Sequence, residues 1–254
     1  EWLGGPQVCL DEWEHMTRSE PGFRAGEAVR SIAEIGVVVL YIIYAPAGLE
    51  WLVLRSGIAV DGLVQVVGIS GLTIVMFLLA AAMVKFRGQS LADVGLRRPN
   101  SVSQTVIISV VTAVLVFAAV EFSERFGFMH RDLSDVASLK DNTTVLFAWI
   151  AMVVLVSGFV EEFVYRGFMM DRIARIFGSS RGAWIAAFFL QAVIFGLAHA
   201  YGALQLELFA GAFALIYAGL YLWQGNLWAS IATHGLYDAS RIVFAYWLLT
   251  HGSA

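Results

Sequence analysis

Hydrophobic residues in this chain come in long unbroken runs, not in alternating or helix-striped patches. From Leu72 to Val84 no charged side chain intervenes. A helix needs about 20 apolar residues to cross the hydrocarbon layer of a bilayer. On that ruler the chain holds seven candidate spans: 32–54, 63–86, 102–122, 143–170, 182–200, 204–223 and 227–249. Backbone surrounded by lipid has to satisfy its own hydrogen bonds, which favours helices. A β-barrel would alternate polar and apolar residues over ten-residue segments, and Leu72–Val84 does not. The pattern predicts an all-α membrane protein, a polytopic transmembrane helical bundle of about seven (six to eight) spans. A polar or amphipathic segment, 1–31, would precede a single transmembrane domain, 32–254. No internal repeat or low-complexity stretch divides it.

Composition narrows the class further. The 254 residues are 59% hydrophobic and 14% charged, against roughly 25% charged in soluble domains. That excludes a soluble enzyme, a disordered chain and a nucleic-acid binder. Sixteen Lys and Arg against twenty Asp and Glu give a net charge of −4, so nucleic acid is not an expected partner. The single cysteine, Cys9, excludes an internal disulfide and any multi-cysteine metal site. Lys85, Arg87, Arg97 and Arg98 fall on the same side as Arg18, Arg24, Arg30, Arg172, Arg175 and Arg181. The other side holds Arg55, Arg125, Arg131 and Lys140. This asymmetry predicts an N-terminus inside. Several of the eight tryptophans, Trp51 and Trp247 among them, sit where interfacial anchors belong.

Charged side chains within a span cost roughly 2.5–3.5 kcal/mol each on insertion scales, so their presence needs a reason. The fourth span contains Glu161, Glu162 and Arg166. Glu162 and Arg166 have the i,i+4 spacing and order that favour an ion pair. Adjacent helical residues point about 100° apart, so Glu161 is left to face a cavity. The fifth span ends at Phe195-Gly-Leu-Ala-His199, and the seventh contains His234 and Asp238, again i,i+4. Acids of the first three spans, Glu34, Glu50 and Glu121, lie near span ends where they can snorkel. The plain structural reading is a buried ion cluster that locks helices together.

A carboxylate and an imidazole beside one water can act as general base, and a second imidazole can donate to a developing oxyanion. There is no serine nucleophile elbow, and Cys9 lies outside every span, so a covalent intermediate is not expected. Glu161, His199 and His234 could instead hold zinc. No HExxH pair is present, and zinc is the second choice to a cofactor-free site.

In order, Glu161-Glu162-x-x-x-Arg166, Phe195-x-x-x-His199 and His234-x-x-x-Asp238 resemble the motifs of the CAAX prenyl endopeptidase-like intramembrane proteases, within the CAAX protease and bacteriocin-processing (Abi) superfamily. The likeness covers about 143–249. It implies a glutamate-type intramembrane endopeptidase, with a polar intramembrane cavity inside the helical bundle, acting on a membrane-associated or lipidated protein or peptide. Glu161 and His199 would activate water, and His234 and Asp238 would occupy the oxyanion-stabilising positions. Glu162 and Arg166 would organise the site, with Phe195 packed beside it. Where the prenyl-protein proteases carry Asn, this chain carries Asp238. An ionised aspartate only accepts hydrogen bonds, so Asp238 would serve an oxyanion only if protonated and would otherwise orient His234 and leave that ring as the donor. Aspartate at this position occurs in many bacterial members, so activity is still expected while prenyl-CAAX specificity is not, and the expected location is a bacterial cytoplasmic membrane. The alternatives are a non-catalytic membrane scaffold or bacteriocin-immunity protein of the same fold, and, more remotely, a proton-relay transporter. Repeat symmetry between two halves would support a transporter, and none is visible.

Overall fold

The computed structural model describes residues 25–199 and 204–252. The described part of the N-terminal segment, from Ala25, is already helix. The described residues form seven long helices and no strands. They are α1 (Ala25–Ser56), α2 (Gly62–Phe86), α3 (Val102–Arg125), α4 (Thr143–Ile176), α5 (Arg181–Leu197), α6 (Leu204–Gln224) and α7 (Trp228–His251). Five of them, α1 to α4 and α6, are long and apolar enough to cross a membrane, and the chain is an integral membrane protein. The 17-residue α5 is shorter, and α7 is long enough but carries His234, Asp238 and Arg241.

Polar side chains set the helix starts. Asp61 accepts from the backbone N–H groups of Leu63 and Val64 at 2.9 Å, capping α2. Ser101, Asn142 and Ser180 do the same for α3, α4 and α5. A short 3₁₀ turn, Leu91–Val94, is closed by a reciprocal capping box between Ser90 and Asp93. These caps satisfy N–H groups that the first helical turn leaves over.

At the centre stands α4. Every residue from Glu162 to Ala174 is buried, and the helix packs against α1, α2, α5, α6 and α7. It is not a uniform α-helix: π-helical segments occupy Val153–Ser157 and Glu162–Met169, on either side of the α-helical Gly158–Glu161. Such wide turns recur at functional sites because they re-aim side chains. By contrast α1 presents Leu40, Ile43, Tyr44 and Leu54 outward, as a lipid-facing helix does.

Several helix ends differ from the apolar runs, for local reasons. The expected spans 32–54 and 143–170 lengthen to Ala25–Ser56 and Thr143–Ile176 because the added polar turns are held by ion pairs. Glu34 accepts from Arg87 at 2.9 Å and from Arg172 at 2.5 Å, while Glu27 meets Arg87. Asp171 pairs with Arg172 and Arg175. Glu34 is thus a joint between α1, α2 and α4, not a snorkelling end residue. Glu121 behaves similarly at the other end of the bundle. It and Glu124 bind Arg131 and Arg241, linking α3 and the following loop to α7.

Candidate active site

The two helices that carry most of the candidate residues, α4 and α7, cross with their backbones almost touching. A Cβ on Gly158 would lie 3.1 Å from the Gly235 nitrogen and 3.2 Å from its Cα, and one on Gly235 would lie 3.3 Å from the Val154 Cα. Glycine at both positions permits that approach without displacement, and it brings Glu162 of α4 beside His234 of α7. Glu162 Oε1 lies 2.8 Å from His234 Nδ1.

Beneath this contact the site is closed. Glu162 and Arg166 are both fully buried and pair at 3.0 Å, as the i,i+4 spacing predicts. The guanidinium is enclosed by aromatic faces, with its central carbon 4.6 Å from the Phe195 ring centroid, 5.3 Å from Tyr217 and 6.0 Å from Tyr165. Cation–π attraction of this kind strengthens when the charge is desolvated.

Above it the site is open. His234 Nε2 lies 3.3 Å from Asp238 Oδ2 and 4.0 Å from Glu161 Oε2. Glu161 keeps 24% of its side chain accessible and Asp238 26%, against 7% for His234. One imidazole therefore bridges a dry, charge-paired layer and an accessible pair of carboxylates. With Nδ1 tied to Glu162, a proton on Nε2 sits between Asp238 and Glu161. The 4.0 Å separation is too long for a direct hydrogen bond.

His199 follows α5 in a turn. Its Nδ1 lies 2.8 Å from the Phe195 carbonyl, which accepts, and this assigns Nε2 as the proton-accepting nitrogen of the neutral ring. Its ring stands 4.6 Å from that of Phe195, and the Phe195 ring is 6.4 Å from that of His234. Phe195 thus neighbours both imidazoles, and Glu161 interacts electrostatically with both. The helix ends at Leu197 and not at residue 200, because the His199 ring takes the Phe195 carbonyl and its backbone N–H turns to Gly196. Residues 200–203, the rest of this connection, lie outside the described residues.

The candidate residues thus fall into three groups. Glu161, His234 and Asp238 share one corner; Glu162 and Arg166 lie under it; Phe195 and His199 flank it. Sequence reasoning missed Tyr217, whose ring stacks on His234 at 4.9 Å with 20° between planes. It also missed the glycine pair that sets the helix crossing. Among the described residues no three His, Cys, Asp or Glu side chains group as a metal-holding set.

No curated protein and no solved structure matches the chain. A family model does match, over residues 143–240, which run from the start of α4 into α7 and include every residue of this corner. In that segment the chain is similar to the family described as Type II CAAX prenyl endopeptidase, Rce1-like.

Proposed function

We propose that this protein is an intramembrane endopeptidase that hydrolyses a peptide bond of a membrane-associated or lipidated protein or peptide with a water activated by Glu161. The observation that carries the reading is the open corner, where the accessible Glu161 carboxylate stands 4.0 Å from the one nitrogen of His234 not tied to Glu162. An oxygen seated there can touch both groups, as a base and a hydrogen-bond donor acting on one reacting centre require. The Rce1-like match over the same residues supports an endopeptidase.

The steps balance without a cofactor. Glu161, assisted by His199, takes a proton from water as its oxygen bonds to the carbonyl carbon. The carbonyl oxygen becomes the oxyanion and accepts from His234 Nε2–H. Collapse re-forms the C=O bond and breaks the C–N bond, and Glu161 returns its proton to the departing amine. Asp238 aims His234 by accepting at Nε2 until substrate arrives. Glu162 holds His234 Nδ1, and Arg166 pairs with Glu162 beneath it. We place the end bearing Arg87, Arg97 and Arg172 on the cytoplasmic side of a bacterial membrane, on the charge asymmetry.

Glu161→Gln keeps size and polarity and removes the base. Turnover should fall about 10²–10⁴-fold, the usual contribution of general acid–base catalysis, with an unchanged melting temperature in detergent. Comparison of peptide termini in membranes from cells carrying wild type or Glu161→Gln identifies the substrate. A terminus that vanishes only with the variant supports proteolysis. Unchanged termini under conditions where deletion has a phenotype favour the scaffold reading.

A further inference from the structure

We propose that Tyr217 is a positioning residue for His234, acting through the face of its ring and not through its hydroxyl; this rests on the hydrolytic reading of the corner. Tyr217 belongs to α6, a helix that carries none of the motif residues. It is 1% exposed. Its ring lies almost parallel to the imidazole, 4.9 Å away, and it also faces the Arg166 guanidinium at 5.3 Å. Arg166 pairs with Glu162, and Glu162 holds His234 Nδ1. Tyr217, His234, Glu162 and Arg166 therefore form a closed circuit in which each touches the next. The backbone locks the same register, because Ser230 of α7, one turn before His234, donates its hydroxyl to the Tyr217 carbonyl at 2.8 Å.

The circuit restricts the imidazole in a way that contacts at its edge cannot. Glu162 at Nδ1 and Asp238 at Nε2 hold two edge atoms, and the ring can still tilt about the line that joins them. A parallel aromatic face fixes the ring plane. With both in place Nε2 has one direction left, toward Asp238 and Glu161. Among the described residues the Tyr217 hydroxyl is buried with no hydrogen-bond partner, whereas its ring meets both His234 and Arg166. The ring face is the working part.

The test uses the full-length protein in detergent with ¹⁵N-labelled histidine, the His234 signals being assigned by their loss in His234→Asn. Wild type and Tyr217→Phe should show one sharp imidazole pattern for His234, and Tyr217→Leu a broadened, averaged one. On the substrate identified above, Tyr217→Leu should lower kcat about 10–100-fold, the scale of an ångström-level misplacement. KM should stay within threefold, and Tyr217→Phe should restore wild-type kcat within threefold. If Tyr217→Leu does not fold, Tyr217→Met supplies apolar bulk without a ring face. A leucine or methionine variant with the wild-type imidazole spectrum overturns the proposal. So does a phenylalanine variant as impaired as leucine, which would move the role to the hydroxyl. Absence of Glu161-dependent turnover in the wild type would sink the protease reading alone, while the imidazole spectrum still decides the role of Tyr217.

Discussion

Arg166 is the most demanding residue in the molecule, a full positive charge with no exposed surface and one carboxylate at 3.0 Å. Its electrostatic surroundings are Glu162 and three ring faces. Removing one partner of a buried pair leaves the other uncompensated and costs about 3–5 kcal/mol, whereas an apolar replacement of both is often neutral. Arg166→Ala should therefore lower the melting temperature sharply in detergent. The double variant Glu162→Leu with Arg166→Met should recover most of the stability and none of the turnover, since His234 Nδ1 then loses its acceptor. A different result is expected at Asp238. Asparagine still offers an oxygen to His234 Nε2, and its N–H₂ can donate to an oxyanion, which an ionised aspartate cannot do. Asp238→Asn should keep turnover within about tenfold of wild type, while Asp238→Leu should lose about 10²-fold or more, the cost of a lost oxyanion contact. Equal turnover in the asparagine and leucine variants would show that Asp238 does not aim His234.

Helices meet at this site through small residues, and the contacts rank the consequences of adding a methyl group. At Gly196 a Cβ would fall 2.7 Å from the Glu207 carbonyl oxygen, so α5 and α6 have to separate. At Gly158 the nearest atoms are the Val153 carbonyl oxygen at 3.0 Å and the Gly235 backbone from 3.1 Å, a crowding that a few tenths of an ångström relieves. At Gly219, also within α6, nothing lies within 4 Å. Thermal unfolding should place Gly219→Ala at or slightly above wild type, Gly158→Ala below it and Gly196→Ala lowest. Gly158→Ala should lose more turnover than its stability loss explains, because it opens the α4–α7 contact on which Glu162 and His234 depend. The same helices mark how far the sequence could be read. Spans were legible because lipid imposes a length on apolar runs, and Glu162 with Arg166 because a pair at i,i+4 has one plausible geometry. The π-helical turns of α4 were not legible, since they change hydrogen bonding without changing hydropathy. Nor was Tyr217, one aromatic among many in an apolar helix; its partner is on α7 and local sequence carries no mark of it.

Across the whole molecule, α1 is joined to the rest of the bundle by Val38 in the core and, at one end, by a cluster of ion pairs. Its outward face is exposed, and Glu34 is the point where three separate elements meet. Arg30 reaches Glu34 from the preceding turn at 3.1 Å, Arg87 from the end of α2 at 2.9 Å and Arg172 from the end of α4 at 2.5 Å. Arg172 is fully buried and Arg87 is 4% exposed, while Glu34 itself is 12% exposed. Glu27, one face-repeat earlier, meets Arg87 and stands 3.4 Å from Arg175, but it is 34% exposed and Arg175 is 31% exposed. Exposed pairs contribute about 0–1 kcal/mol, and buried ones that lose a partner cost several times more. Glu34→Ala should therefore destabilise the protein by about 2–4 kcal/mol, several times the effect of Glu27→Ala, when both are followed by unfolding in detergent. Its effect on the corner should be indirect: α4 carries Arg172 and Glu161 on one helix, about 16 Å apart at 1.5 Å per residue. Below the melting temperature Glu34→Ala should keep a wild-type KM, and its turnover should fall only as the folded fraction falls. A KM shift in the folded variant would instead mean that α1 borders the substrate path and that its ionic joint sets access to Glu161.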